Sequence, residues 1–211
     1  MNQHFAITIA RQYGSGGREI GIKLAELLNI KAYDKELITM ASQKSGISVE
    51  ELTGADEKAT SSLLYTLALG SSGYSNSSAR FNMPINDKLF VVQSELIREI
   101  ADKEDCIIIG RCGDYVLRDM KNVLSIFIYS DLDSRIERIS NSHNISKAEA
   151  EDLISKTDKR RINYYNFYTG RKWGKFDHYS ASLNSSILGI DGTAQLIADM
   201  VQQYKAKNDI Q

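Results

Sequence analysis

The sequence predicts an α/β chain, with a parallel sheet flanked by helices. Three observations carry this. Short, β-branched apolar runs recur along the chain, and each is followed by apolar residues at helical spacing. A glycine cluster, Gly14-Ser15-Gly16-Gly17, joins the first run to the first helix. Strands that alternate with helices pair in parallel and wind on both faces of the sheet.

The elements follow in order. Phe5 to Ala10 reads as a strand buried on both faces. Ile20, Leu24, Leu27 and Leu28 then recur at i, i+4, i+7 and i+8, one face of a helix that runs to about Asn29. Ile30 to Tyr33 is a short second strand. Asp34 stands where it could cap a helix carrying Leu37, Ile38 and Ala41. Ser48 and Glu51 have capping-box spacing, so a short helix starts there. Residues 48–86 read as an insert, expected to be mobile. Its stretch from Ser71 to Ser78 is the lowest in complexity in the chain. Leu89, Val92, Leu96 and Ile100 mark the next helix. Cys106 to Gly110 and Val123 to Tyr129 are two further buried strands. Ser130 or Asp131 then caps a helix with Leu132, Ile136 and Ile139. Ser146 and Glu149 form a second capping box, opening a long helix to about Tyr168. Tyr179 to Leu183 is the last strand. A terminal helix from about Thr193 to Tyr204 turns Ile197 and Val201 inward.

Composition narrows the classes. The 211 residues hold 26 Lys+Arg against 27 Asp+Glu, 42% hydrophobic and 25% charged, an ordinary globular balance for one domain. Near-neutral charge argues against a surface given over to nucleic acid or membrane, and neither is expected as a partner. No apolar run approaches a membrane span, and no signal peptide opens the chain, so a cytoplasmic location is expected. Two cysteines, Cys106 and Cys112, make neither a disulfide framework nor a four-thiolate zinc site. His4, His143 and His178 have no metal-ligand or triad spacing.

In a doubly wound sheet, ligands sit beyond the carboxyl ends of the strands. Three notable segments fall at such ends: Arg11–Arg18, Tyr33–Asp34 and Gly110–Arg111. The glycine cluster between a buried strand and a helix is built to hold phosphate. Backbone N–H groups turn inward there, and the helix start adds partial positive charge. The dinucleotide fingerprint G-x-G-x-x-G/A fits Gly14 and Gly16 but meets Glu19 at its third small position. The G-x-x-x-x-G-K-[ST] pattern fails literally too. In register it places Arg11 at the first glycine and Gly17 at the lysine, with Arg18 one residue late. Arg18, always ionised, has the length to reach a β- or γ-phosphate from the first helical turn. Ser15 is the candidate substitute for the missing metal-binding Ser/Thr.

The segment Ile7-Thr8-Ile9-Ala10-Arg11-Gln12-Tyr13-Gly14-Ser15-Gly16-Gly17-Arg18-Glu19-Ile20 resembles the opening of the cytidylate kinase-like family, a divergent branch of P-loop nucleoside monophosphate kinases. Further matches follow in order: Tyr33-Asp34-Lys35-Glu36, Ile108 to Leu117, Asp158 to Tyr165, Trp173-Gly174 and Leu183 to Ser186. The resemblance spans nearly the whole chain. It implies a three-layer P-loop kinase fold, with an acceptor-binding insert at 48–86 and a short lid at 141–145. It implies Mg2+-dependent transfer of a phosphoryl group from ATP to a small phosphorylated acceptor, CMP or dCMP by default.

Site residues carry over position by position. Arg11, Gly14, Ser15, Gly16, Gly17 and Arg18 would bind the ATP phosphates. Gly110-Arg111 resembles the Gly-Arg that holds the acceptor monophosphate, and a guanidinium at a strand end grips phosphate bidentately. Tyr33 and Asp34 would face the acceptor, Asp34 also serving as a metal ligand with Ser15. Arg160 and Arg161 match arginines that neutralise the transferring group; Arg18 is the third catalytic candidate, as the displaced substitute for the loop lysine. Neighbours on a helix point about 100° apart, so only one of the pair is expected inward, and the resemblance favours Arg161. Tyr164, Tyr165, Phe167 and Tyr168 read as packing. Two other functions stay open: a non-catalytic nucleotide-binding regulator, suggested by the missing lysine, and a kinase of some other hydroxyl acceptor.

Overall fold

The computed structural model describes residues 4–56 and 83–208. Five parallel strands form one sheet in the order β2-β3-β1-β4-β5. They are β1 (Ala6–Arg11), β2 (Lys31–Tyr33), β3 (Cys106–Ile109), β4 (Val123–Tyr129) and β5 (Ala181–Asn184). β1 is central, with Ile7 opposite Ile107 on one side and Leu124 on the other.

Period-two alternation on these strands sorts the core into two layers. Ile7, Ile9, Ile107 and Ile109 face α1 (Gly17–Leu28) and the terminal helix, meeting Ile20, Leu24, Ile197 and Val201. Ala6, Cys106 and Ile108 face the other way, onto Leu37, Ile97, Ile100 and Val116. Those last residues belong to α2 (Glu36–Ser45), α4 (Ile85–Lys103) and α5 (Gly113–Val116). Full burial of each isoleucine contributes about 1.5–3 kcal/mol, which is why the centre of the sheet is so rich in them. Cys106 is filler in this core, and burial pushes its thiol up to about 12.

The segment expected to be an insert opens with α3 (Val49–Ala55), whose start is capped by the Ser48 hydroxyl. The serine-rich stretch 71–78 and the rest of 57–82 lie outside the described residues. α6 (Leu132–His143) and α7 (Lys147–Thr169) form a helical hairpin, and Ser146 and Glu149 complete a reciprocal capping box at the start of α7. Residues 141–145 are the end of α6 and a tight turn, with Asn144 left-handed and Ser140 Oγ donating to the Ile145 carbonyl. Tyr168 stacks on Phe90 at 4.2 Å, so the aromatic cluster packs α7 onto α4.

Two expectations change. The terminal helix α8 (Ser185–Lys207) begins eight residues earlier than its apolar spacing suggests and breaks at Gly189 (φ 66°, ψ −170°). The first part carries Ile187 and Leu188 exposed, so it has no buried stripe to betray it. Asp34 does not cap α2: the helix starts after Lys35 with no side-chain cap. No described helix is long and apolar enough to cross a membrane.

Candidate functional site

The carboxyl ends of β2, β3 and β1 lie side by side, and three separate stretches of sequence meet there. The β1–α1 loop is the floor. Gly14 (φ 78°) and Gly16 (φ 76°) are left-handed, a conformation that costs a residue with a Cβ roughly 1–2 kcal/mol. Ser15 between them is buried. Its Oγ donates to the Gln12 carbonyl at 2.9 Å, and its own carbonyl accepts from Ser185 Oγ at 2.6 Å. The hydroxyl is thus turned onto the loop.

The helical hairpin holds the loop from above. Asp158 on α7 accepts from the Tyr13 N–H at 2.8 Å and from Arg135 Nη1 at 2.5 Å. The same Arg135 nitrogen donates to the Tyr13 carbonyl, and Arg138 donates to that of Gly14 at 2.5 Å. With the Tyr13 N–H engaged by Asp158, the N–H groups that open α1 remain to face an anion, since the first turn of a helix has no internal acceptors. Arg135, Arg138 and Asp56 were not among the residues the sequence singles out for the site. The only available signal for the two arginines was their i, i+3 spacing on a helix otherwise read for its apolar face.

Arg11 leaves the end of β1 over Gly17 and reaches Gly110. A Cβ on Gly17 would lie 2.5 Å from the Arg11 Cβ, and one on Gly110 would run into the guanidinium. Its Nη2 is 3.8 Å from Asp34. Arg18 is half-exposed at the rim, and its Nε donates to Asp34 Oδ2 at 2.7 Å. That hydrogen bond holds the guanidinium above the usual arginine pKa. Tyr33 turns its hydroxyl to Glu104 instead, where burial and the neighbouring carboxylate raise its pKa.

After β3, Gly110, Arg111 and Cys112 are three consecutive left-handed residues (φ 77°, 53° and 54°). Arginine and cysteine in this conformation store of the order of 1–3 kcal/mol each. The turn buries the Arg111 side chain, whose Nη2 pairs with Asp56 at 2.7 Å. From α7, Arg161 donates to the Arg11 carbonyl at 3.0 Å and lies 5.6 Å from the Tyr13 ring. Arg160 faces solvent. Asp114 is buried beneath, and burial raises its carboxyl pKa despite a 2.6 Å hydrogen bond from Tyr165.

A cleft of about 700 Å³ opens here, within the range of small-molecule sites. Arg11, Arg18, Arg111, Arg138, Arg161 and Lys35 face it, against Glu19, Asp34 and Asp56. That excess of cations at a helix start fits a polyanion. Among the described residues, no group of three or more His, Cys, Asp or Glu is arranged for a metal. Magnesium carried on phosphates needs less, because it keeps several waters and takes one or two carboxylates. Asp34 and Asp56 are carboxylates on the cleft, paired with Arg18 and Arg111. Ser15 is buried outside the cleft lining, with its hydroxyl on Gln12.

Comparison with known proteins adds to this geometry. The model of the cytidylate kinase-like family matches residues 6–187. A search of curated proteins found no match. Among solved structures, an uncharacterized protein from Eubacterium ventriosum is 26% identical, with a TM-score of 0.68 over 94% of this chain and 99% of that one. Shikimate kinase from Bacteroides thetaiotaomicron is 14% identical, with a TM-score of 0.53 over 94% and 98%. The fold is that of the P-loop kinases.

Proposed function

The chain belongs to the cytidylate kinase-like family, and we propose that it transfers the γ-phosphoryl group of ATP to a small phosphorylated acceptor, CMP or dCMP by default. One observation carries this reading: a glycine loop and arginines from two strand ends, the start of α1 and a helix hairpin open into one cleft. Phosphoryl transfer asks the protein for little covalent chemistry, and positioning and cations do most of the work.

The N–H groups at the start of α1 would hold the ATP phosphates, with Gly14, Gly16 and Gly17 letting them approach. Arg111 would grip the acceptor phosphate, exchanging Asp56 for it. An acceptor phosphate oxygen then bonds to the γ-phosphorus as the bond to the β–γ bridging oxygen breaks, and ADP leaves with that electron pair. Arg161, which lines the cleft, would follow the charge on the transferring group. Magnesium, when bound with ATP, supplies charge neutralisation on the β- and γ-phosphates, and Asp34 would hold it.

A second reading has its own observation. Gly17 replaces the loop lysine and the Ser15 hydroxyl is turned away, as in a nucleotide-binding regulator with no turnover. Assaying the purified chain with Mg-ATP and a panel of nucleoside monophosphates and non-nucleotide hydroxyl acceptors separates the two. ADP formation dependent on a cytidine monophosphate is expected. Tight ATP binding with no acceptor-dependent ADP would sink the kinase reading, and turnover with a non-nucleotide alone would replace the acceptor.

A further inference from the structure

We propose that Arg11 stands in for the missing loop lysine, its guanidinium entering the phosphate site from the strand rather than from the helix. This rests on the reading of the cleft as an ATP site. In the register of G-x-x-x-x-G-K-[ST], the first glycine is Arg11 and the lysine is Gly17. In the structure these two departures are a single exchange. The Arg11 stem passes over Gly17, where a Cβ would lie 2.5 Å from its Cβ and 3.1 Å from its Cγ. While Arg11 takes that path, no side chain fits at 17. A second glycine clears the far end, since a Cβ at Gly110 would occupy the space of the guanidinium. Two glycines from distant parts of the chain therefore make room for one arginine.

The position suits the role. The Arg11 side chain is 10% exposed, so its charge acts in a poorly solvated site. It lines both the loop cleft and the smaller pocket beside Arg111 and Arg161. It stands at the boundary between the proposed ATP and acceptor sides, where the transferring group crosses. Asp34, at 3.8 Å, is beyond hydrogen-bond distance. It acts on the guanidinium as a nearby negative charge. Arg18 is the weaker candidate, because its Nε is taken by Asp34 and its side chain is 50% exposed.

The test rebuilds the ordinary loop. Wild type, Arg11→Ala, Gly17→Lys and the double variant Arg11→Gly/Gly17→Lys are compared for ADP formation and for the ratio of ATP to AMP affinity by calorimetry, with folding checked by thermal melting. Arg11→Ala is expected to lower kcat by about 10²–10³-fold, as for other transition-state donors, and to shrink the ATP preference. Gly17→Lys alone collides with Arg11 and is also impaired. The double variant is expected to exceed either single variant by at least about tenfold in kcat and to regain the preference. If Arg11→Ala does not fold, the double variant and Arg11→Lys carry the test, the latter expected to fold and to lose kcat because its stem is shorter. A double variant that folds but is no better than the singles overturns the assignment, as does an Arg11→Ala protein with normal turnover and ATP preference. The two readings fail separately. An Arg11-dependent ATP preference with no transfer to any acceptor ends the kinase reading alone, and normal transfer without Arg11 ends only this one.

Discussion

Asp34 shows how far a residue's role depends on its spatial neighbours. By sequence it suits a helix cap, yet its carboxylate takes Arg18 at 2.7 Å with Arg11 at 3.8 Å. Capping would have needed it one residue later, at Lys35. Arg18, read as the displaced loop cation, is drawn to Asp34 at the rim. Its half-exposed ion pair is screened by water and contributes about 0–1 kcal/mol. Arg18→Ala is therefore expected to lower stability by under about 1 kcal/mol and turnover by less than about tenfold. Thermal melts and steady-state rates check both. A loss of turnover of about a hundredfold or more would return Arg18 to the transferring phosphoryl group.

At the scale of elements, the helical hairpin α6–α7 clamps the glycine loop. Asp158 joins the Tyr13 N–H to Arg135, and the α7 that carries it also carries Arg161. The side chains of Arg135 and Asp158 are only 10% and 15% exposed. Removing the acid leaves a buried charge without its main partner, which costs about 3–5 kcal/mol. For a domain of this size that corresponds to a fall in melting temperature of about 6–20 °C. Asp158→Ala is expected to fall in this range and to raise the KM for ATP, because the loop loses its tie at Tyr13. An unchanged KM in a destabilised variant would show that the loop keeps its shape without the hairpin. The start of α7 was legible in the sequence because a capping box is local: Ser146 and Glu149 are three residues apart. The clamp was not, since Tyr13 and Asp158 are 145 residues apart.

Across the whole molecule, stability should carry an acid-side signature. Burial raises the carboxyl pKa values of Asp87 and Asp114 above the ordinary 3.8, against hydrogen bonds from Tyr168 and Tyr165. A carboxyl with a raised folded pKa keeps its proton in the folded state after the unfolded chain has lost it. The folded state then binds more protons, so this contribution weakens stability as pH rises from 3.8 through the folded value. At neutral pH the unfolded carboxyls are ionised, so the penalty is present there. Asn at 114 can still accept the Tyr165 hydroxyl but carries no charge to bury. Asp114→Asn is thus expected to melt at or above the wild-type temperature at pH 7, with any gain shrinking toward pH 4. Melting curves across that range check it. A constant gap would mean that burial of the charge is not the cause.

The sequence by itself determined the layered α/β arrangement and the place of the loop. Period-two isoleucines, helical spacing and glycines after a strand are local patterns, and local sterics and burial suffice to read them. Gly14 and Gly16 needed no fold to be recognised as turn formers. Helix geometry allowed only one of Arg160 and Arg161 to face inward, and the family resemblance pointed to Arg161. Only the tertiary structure decided which charges meet. The sheet order sets the ends of β2, β3 and β1 side by side, so Asp34, Gly110 and Arg11 become neighbours although far apart in the chain. Arg111 finds Asp56, and Arg161 finds the Arg11 carbonyl, by the same route. Sequence shows Gly17 only as a missing lysine. The fold shows it as the space through which Arg11 passes, because a steric exclusion between a strand end and a helix start exists only once both are packed on one sheet.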